Sequence, residues 1–169
     1  MEAFECIMTR RSVRKYTNDT VPEEMLLKLL EAGANAPSAA NQQPWHFITV
    51  TDKNMLQTVA DGLPYGKMLP QAACAIIVCM KEDAEPYPQL AAQDCSAATQ
   101  NILLAAHALG LGGVWIATHP QKEREDHLRE IMGIPDNIIP FSVVSIGVPA
   151  TVGASAIRLT SEMIHKERW

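Results

Sequence analysis

Residues 89–117 read QLAAQDCSAATQNILLAAHALGLGGVWIA, and the fold turns on how they are read. From about Gln89 to Leu109 the spacing is helical, yet Ala91, Ala92, Ala98, Ile102, Leu103, Ala105, Ala106 and Leu109 place apolar side chains on nearly every side. Such a helix is buried on more than one face. Gln100, Asn101 and His107 interrupt the pattern, which disfavours a membrane span and favours a central helix against which a second subunit can pack. Gly110, Gly112 and Gly113 then release the chain into a strand, Val114-Trp115-Ile116-Ala117.

The rest of the chain is arranged around that helix. Upstream, Ala75 to Met80 is an unbroken apolar run rich in β-branched residues, as in a strand covered on both faces. Before it lie a β-rich run, His46 to Thr51, and a short helix capped by Asp52, carried by Met55, Leu56 and Val59 and closed by Asp61-Gly62. Two helices open the chain. The first carries Phe4, Ile7 and Met8 and ends in a basic turn; the second starts at Pro22-Glu23-Glu24 and runs through Leu26, Leu29, Leu30 and Ala34 to about Asn35. Downstream, a charged amphipathic helix from Glu123 to Met132 stops at Gly133 and Pro135, and a buried strand follows from Phe141 to Val148. The order is α-α-β-α-β-α-β-α-β. Two helices before any strand, and a buried helix between the middle strands, fit a doubly wound Rossmann sheet poorly and predict a mixed α+β sandwich.

Composition narrows the function. A length of 169 residues with 47% hydrophobic content predicts a single domain, residues 1–169, with a substantial core. Fourteen Lys and Arg against nineteen Asp and Glu give a net charge of -5, so general affinity for nucleic acid is not expected and any anion site must be local. Cys6, Cys74, Cys79 and Cys95 form no C-x-x-C pair and read as buried thiols. No secretory pattern is visible at Met1 to Arg11, and the apolar run Ala72 to Met80 is too short to span a membrane, so a cytoplasmic location is expected.

Three stretches could carry chemistry. Arg10-Arg11-Ser12-Val13-Arg14-Lys15 puts four cations within six positions, and arginine suits forked hydrogen bonding of phosphate. The same cations would also serve a solvated helix end. Pro37-Ser38-Ala39-Ala40-Asn41-Gln42-Gln43-Pro44-Trp45-His46 sets three carboxamides and a serine between prolines. That suits either a rigid platform for a flat heterocycle or an ordinary helix-to-strand connection. The turn from Gly110 to Thr118 lets a backbone approach a ligand closely, but it is neither G-x-G-x-x-G nor a P-loop, and a plain tight turn is the alternative. No G-x-S-x-G, no H-E-x-x-H and no paired Cys or His set is present. An enzyme on this chain would therefore rely on a cofactor for the reactive atom.

The run Arg10 to Tyr16, the Pro37-Ser38 to Gln43-Pro44-Trp45 loop, the Cys95 to Leu111 helix with its Gly-Leu-Gly-Gly-Val-Trp exit, and Ile146-Gly147-Val148-Pro149 together resemble the FMN-dependent nitroreductase family over essentially the whole chain. The resemblance implies an α+β fold with a mixed, mainly antiparallel sheet flanked by helices. It also implies an intertwined homodimer with FMN at the subunit interface and residues 150–169 as an arm reaching the partner. Carried over by position, Arg10 and Ser12 fall where the phosphate and ribityl chain are held, with Arg11 in the same turn; Arg158 matches a late phosphate-contacting arginine. Arg14 and Lys67 fall at the N1 and O2 edge of the ring. Pro37, Ser38, Ala39 and Asn41 would come from the other subunit, and Trp115, Ile116, Ala117 and Thr118 would run along the isoalloxazine, with the Ala117 N–H aimed at N5. A second basic residue is replaced by Ala156, and a family asparagine ahead of Lys67 is unmatched near Pro64.

The implied activity is oxidation of NADH or NADPH and reduction of a nitroaromatic, quinone or similar small acceptor, in two hydride-transfer half-reactions at flavin N5. No side chain acts as a catalytic group in this reading, and neither a metal, nucleic acid nor a membrane is a partner. Other chemistry on the same fold, reductive dehalogenation or dehydrogenation, and a non-catalytic flavin-binding module are the alternatives.

Overall fold

The computed structural model describes residues 1–151, 153–154 and 158–169; Ala156 lies outside the described residues. The elements are α1 (Ala3–Thr9), α2 (Glu23–Ala34), β1 (Trp45–Val50), α3 (Lys53–Asp61), β2 (Cys74–Lys81), α4 (Ala91–Ala108), β3 (Gly112–Ala117), α5 (Lys122–Met132) and β4 (Ile138–Gly147). Their order is the one the sequence predicts. The helix ends follow from local chemistry. Asp52 caps α3 by accepting the Met55 N–H at 2.8 Å, and Gly133 ends α5 in the left-handed conformation that glycine adopts without strain.

Three boundaries differ from the expected ones. The central helix starts at Ala91, because Pro88–Leu90 forms a separate 3₁₀ turn. β3 starts at Gly112, two residues before Val114, because Gly113 is paired on both sides: to Ile146 of β4 and, by a parallel bridge, to Ser12. β4 starts at Ile138, before Phe141. Pro140 hides this in the sequence, since it has no N–H for a ladder; it is accommodated beside a register shift opposite Val78 and Cys79.

The four strands form an antiparallel sheet in the order β1-β2-β4-β3. The bridge from Ser12 to Gly113 supplies the parallel pairing that makes it mixed. Alternation along β2 feeds two cores, one on each side of the sheet. Ile76, Val78 and Met80 join Leu29 of α2 and Ala98 and Ile102 of α4, while Ala75, Ile77 and Cys79 join Leu56 and Val59 of α3 and Leu128 of α5. This explains the unbroken apolar run, and β2 is buried at every residue except Lys81.

The N-terminal basic turn lies directly on the glycines of β3 and β4. A Cβ at Gly112 would come within 2.8 Å of Val13, and one at Gly147 within 2.8 Å of Tyr16. Tyr16 is buried there; its hydroxyl donates to the Val13 carbonyl at 2.8 Å and lies 3.0 Å from Ser145 Oγ. Burial pushes its phenol up to about 12. Gly112→Ala is therefore expected to overpack this seam and destabilise the protein by roughly 1–3 kcal/mol. Thermal unfolding checks this, and a wild-type midpoint would mean that the turn yields freely.

Candidate functional site

β3 is the sheet's edge strand, so half of its main-chain groups face outward. Two hydrogen bonds set which half. Val13 N–H donates to the Gly113 carbonyl at 3.0 Å, on the open side, and Thr118 N–H donates to Phe141 in β4 at 3.3 Å. In an antiparallel pair the direction alternates, so the Trp115 and Ala117 N–H groups turn to the open edge with Gly113. The Ala117 carbonyl agrees, since it accepts from Arg124 Nη1 at 2.8 Å.

Against this edge lies a cleft of about 560 Å³ lined by Arg14, Lys67, Tyr65, Met68 and the Val114–Ala117 backbone. Arg14 and Lys67 are exposed and form no ion pair among the described residues. The outer wall is Tyr65, whose ring centre is 5.5 Å from the Arg124 guanidinium. The cleft thus combines apolar strand, open main-chain donors and two uncompensated cations. That suits a flat, hydrogen-bonding, electron-accepting ligand.

The basic turn makes a second, connected feature. Thr9, Arg10, Arg11 and His107 line a smaller pocket of about 160 Å³ beside Gly110 and Gly113. Burial, then the positive charges of Arg158 and Arg11, holds the Arg10 guanidinium below its ordinary value. His107, which is 2.8 Å from Thr9 Oγ1, is likewise lowered by burial and then by Arg10 and Arg11. An anion placed beside Arg10 would offset the repulsion it feels from these neighbours. Arg11 is a fastener: its Nε donates to Ala154 at 3.0 Å and its Nη1 to the Met8 carbonyl at 3.1 Å.

The Pro37–Pro44 loop holds unusual backbone. Ala40, Asn41 and Gln43 all have positive φ, at 48°, 57° and 47°. Asparagine tolerates this region, but for alanine and glutamine each such residue costs on the order of 1 kcal/mol or more. The loop is tied internally by Gln43 N–H to Ser38 Oγ at 3.1 Å and Gln43 Nε2 to Asn41 Oδ1 at 2.9 Å.

A sequence model of the nitroreductase family matches residues 7–63 and 54–148. The chain belongs to the nitroreductase family. A protein of Archaeoglobus fulgidus, provisionally named NADH dehydrogenase/NAD(P)H nitroreductase, is 46% identical over 172 residues, covering 99% of both chains. A crystal structure from Bacteroides thetaiotaomicron with the same provisional name has a TM-score of 0.94 at 41% identity, covering 99% of this chain and 98% of that one. A nitroreductase, also provisionally named, from Desulfovibrio desulfuricans, solved in complex with FMN, has a TM-score of 0.84 at 31% identity and covers 100% of this chain and 98% of its own.

Within this nitroreductase-family chain, Arg14, Lys67, Trp115, Ile116 and Ala117 meet around the cleft, and Arg10 and Arg11 line the smaller pocket. Ser12 is exposed beside them and Arg158 is near enough to act on Arg10. Thr118 is turned inward; it is fully buried and its hydroxyl has no partner among the described residues. Pro37, Ser38, Ala39 and Asn41 are not among the residues that line either pocket. Tyr65, Met68, Arg124 and His107 escaped the sequence reading. Arg124 sits in an ordinary amphipathic pattern, and His107 is one of five scattered histidines. Two other histidines are taken up structurally, His119 by Glu125 at 2.8 Å and His127 by the Thr58 carbonyl at 2.9 Å.

Proposed function

We propose that this chain is an FMN-dependent oxidoreductase that uses NADH or NADPH to reduce nitroaromatics, quinones or similar small acceptors. The observation that carries this reading is the spacing of charge along one strand edge. The Arg10 and Arg11 guanidiniums lining the pocket beside Gly113 suit a phosphate, and Arg14 and Lys67 near the outward Ala117 N–H suit a ring that gains negative charge. Family membership and a relative solved with FMN support the same cofactor.

FMN held there would supply two-electron redox chemistry between a nicotinamide and the acceptor. The chain's residues bind and orient. Arg10 and Arg158 would hold the phosphate, Ser12 the ribityl chain, and Arg14 and Lys67 the pyrimidine edge. The Trp115–Thr118 segment would lie along the ring, with the Ala117 N–H donating to it. Pro37, Ser38, Ala39 and Asn41 would complete the site from a second protomer, which makes the working unit a homodimer.

Residues 1–169 would form one domain, with 150–169 as an arm across the partner. The exposed apolar side chains of Leu159, Met163 and Ile164 and the fully exposed Trp169 support an arm that docks elsewhere. The test is the visible spectrum of protein loaded with FMN and desalted, before and after anaerobic addition of NADPH and then NADH. The expected result is a bound flavin spectrum that bleaches and recovers when a quinone or nitroaromatic is added. Bound flavin that stays yellow with both donors would overturn the activity, and colourless protein would overturn the cofactor.

A further inference from the structure

The loop with three left-handed non-glycine residues is held from outside by a buried carboxylate. Asp94, in the first turn of α4, is 6% exposed. Its Oδ1 accepts the Ala39 N–H at 3.0 Å, and its Oδ2 accepts Gln42 Nε2 at 2.6 Å. Gln42 passes the connection on: its Nε2 also donates to the Tyr87 carbonyl at 3.1 Å, and its Oε1 accepts the Tyr87 N–H at 3.0 Å. One carboxylate and one carboxamide therefore join the central helix, the strained loop and the Lys81–Pro88 connection. The two bonds, at Ala39 and Gln42, flank the left-handed pair Ala40 and Asn41.

We propose that Asp94, acting through Gln42, is a positioning residue that holds the Pro37–Asn41 segment in the strained form in which it meets FMN. The inference rests on the FMN reading above. Strained backbone persists only where its surroundings over-determine it; the loop's own bonds, among them Gln42 N–H to the Ala39 carbonyl at 2.9 Å, leave the Ala39 N–H and the Gln42 carboxamide to be held by Asp94. Without the clamp the segment relaxes to ordinary φ values, and FMN binding must then supply the ordering. Neither residue touches the cofactor in this account.

The chemistry of the pair gives a test with a change of sign. In Asp94→Asn, Oδ1 can still accept from Ala39, but Nδ2 faces the Gln42 amide, donor against donor. In Gln42→Glu two carboxylates face each other. The double variant Asp94→Asn/Gln42→Glu restores one donor and one acceptor between the two side chains and keeps an acceptor for the Tyr87 N–H, but it sets a carboxylate oxygen against the Tyr87 carbonyl that the Gln42 amide served.

The readouts are the FMN dissociation constant from flavin fluorescence, hydrogen exchange at the 39–43 amides of flavin-free protein, and the thermal midpoint. Each single variant is expected to bind FMN about tenfold or more weakly, since bonds to a buried charge are lost, with faster exchange confined to residues 39–43. The double variant is expected to bind FMN more tightly and exchange more slowly than either single variant, short of wild type because of the Tyr87 carbonyl. A purely structural contribution would lower the midpoint of the single variants, and the swap would raise it again, with FMN affinity unmoved throughout. Wild-type affinity and wild-type exchange in the single variants overturn the inference, as does a double variant no better than its parents. Failure of the unaltered protein to bind FMN overturns the functional reading and the inference with it. Faster exchange in the single variants would then still establish the clamp as a structural feature.

Discussion

Arg10→Ala is expected to cost the protein its flavin. A charge-assisted hydrogen bond contributes about 1.5–3 kcal/mol, so its loss weakens FMN binding roughly 10- to 150-fold. Flavin passing through gel filtration should then be largely lost. The same substitution should leave the flavin-free protein as stable as before, because Arg10 is repelled there by Arg158 and Arg11 and has no ion-pair partner among the described residues. The two effects separate in one experiment. Added FMN raises the midpoint of the wild-type protein by mass action, and in the variant this rise shrinks while the flavin-free midpoint stays put. Arg10→Lys should fall between, since it keeps the charge but not the planar fork. Unchanged flavin stoichiometry in Arg10→Ala would remove the phosphate assignment, and with it the strongest support for reading the basic turn as more than a solvated helix end.

That turn was legible because four cations in six positions stand out in an acidic chain. The other half of the site came only through the family resemblance and not from the residues themselves, for identifiable reasons. The donors at Trp115 and Ala117 are main-chain groups, and their direction depends on which side of β3 pairs with β4, a register that no side chain announces. The strain at Ala40 and Gln43 is invisible because neither residue type favours positive φ, so it shows only in the completed contacts, those within the loop and those from its neighbours to Asp94. Asp94 itself looks like any acidic residue at a helix start, where it also complements the dipole. Burial and the neighbouring Asp94 push the adjacent Cys95 thiol up to about 12, consistent with the inert, packed cysteine the sequence suggests. The fold was easier to read than the site, since an all-round apolar helix and an unbroken β-branched strand each have few places to go. Where the reading slipped, at Gly112 and Ile138, glycine and proline masked residues that belong to strands.

Ile102→Ala carries the largest expected loss of stability, because it opens the seam on which that reading depends. Ile102 is fully buried on α4, and α2 crosses it so closely at Gly33 that a Cβ there would sit 3.0 Å from Ile102 Cδ1. Removing the side chain leaves a gap between two helices that cannot easily close, since Phe47 already packs on the same spot, 3.1 Å from that position. Large-to-small changes of this kind cost about 2–5 kcal/mol. For a chain of this size each kcal/mol moves the midpoint by roughly 2–4 °C, so a fall of roughly 4–20 °C is expected in thermal unfolding. A fall of less than about 2 °C would mean that α2 moves in to fill the space, and that the seam is not rigidly packed. FMN affinity should change little, because Ile102 faces α2 and lines neither the cleft nor the basic pocket. A parallel loss of affinity would mean that slackening α4 also frees Asp94, two turns toward its N-terminus, and so loosens the strained loop from within the core.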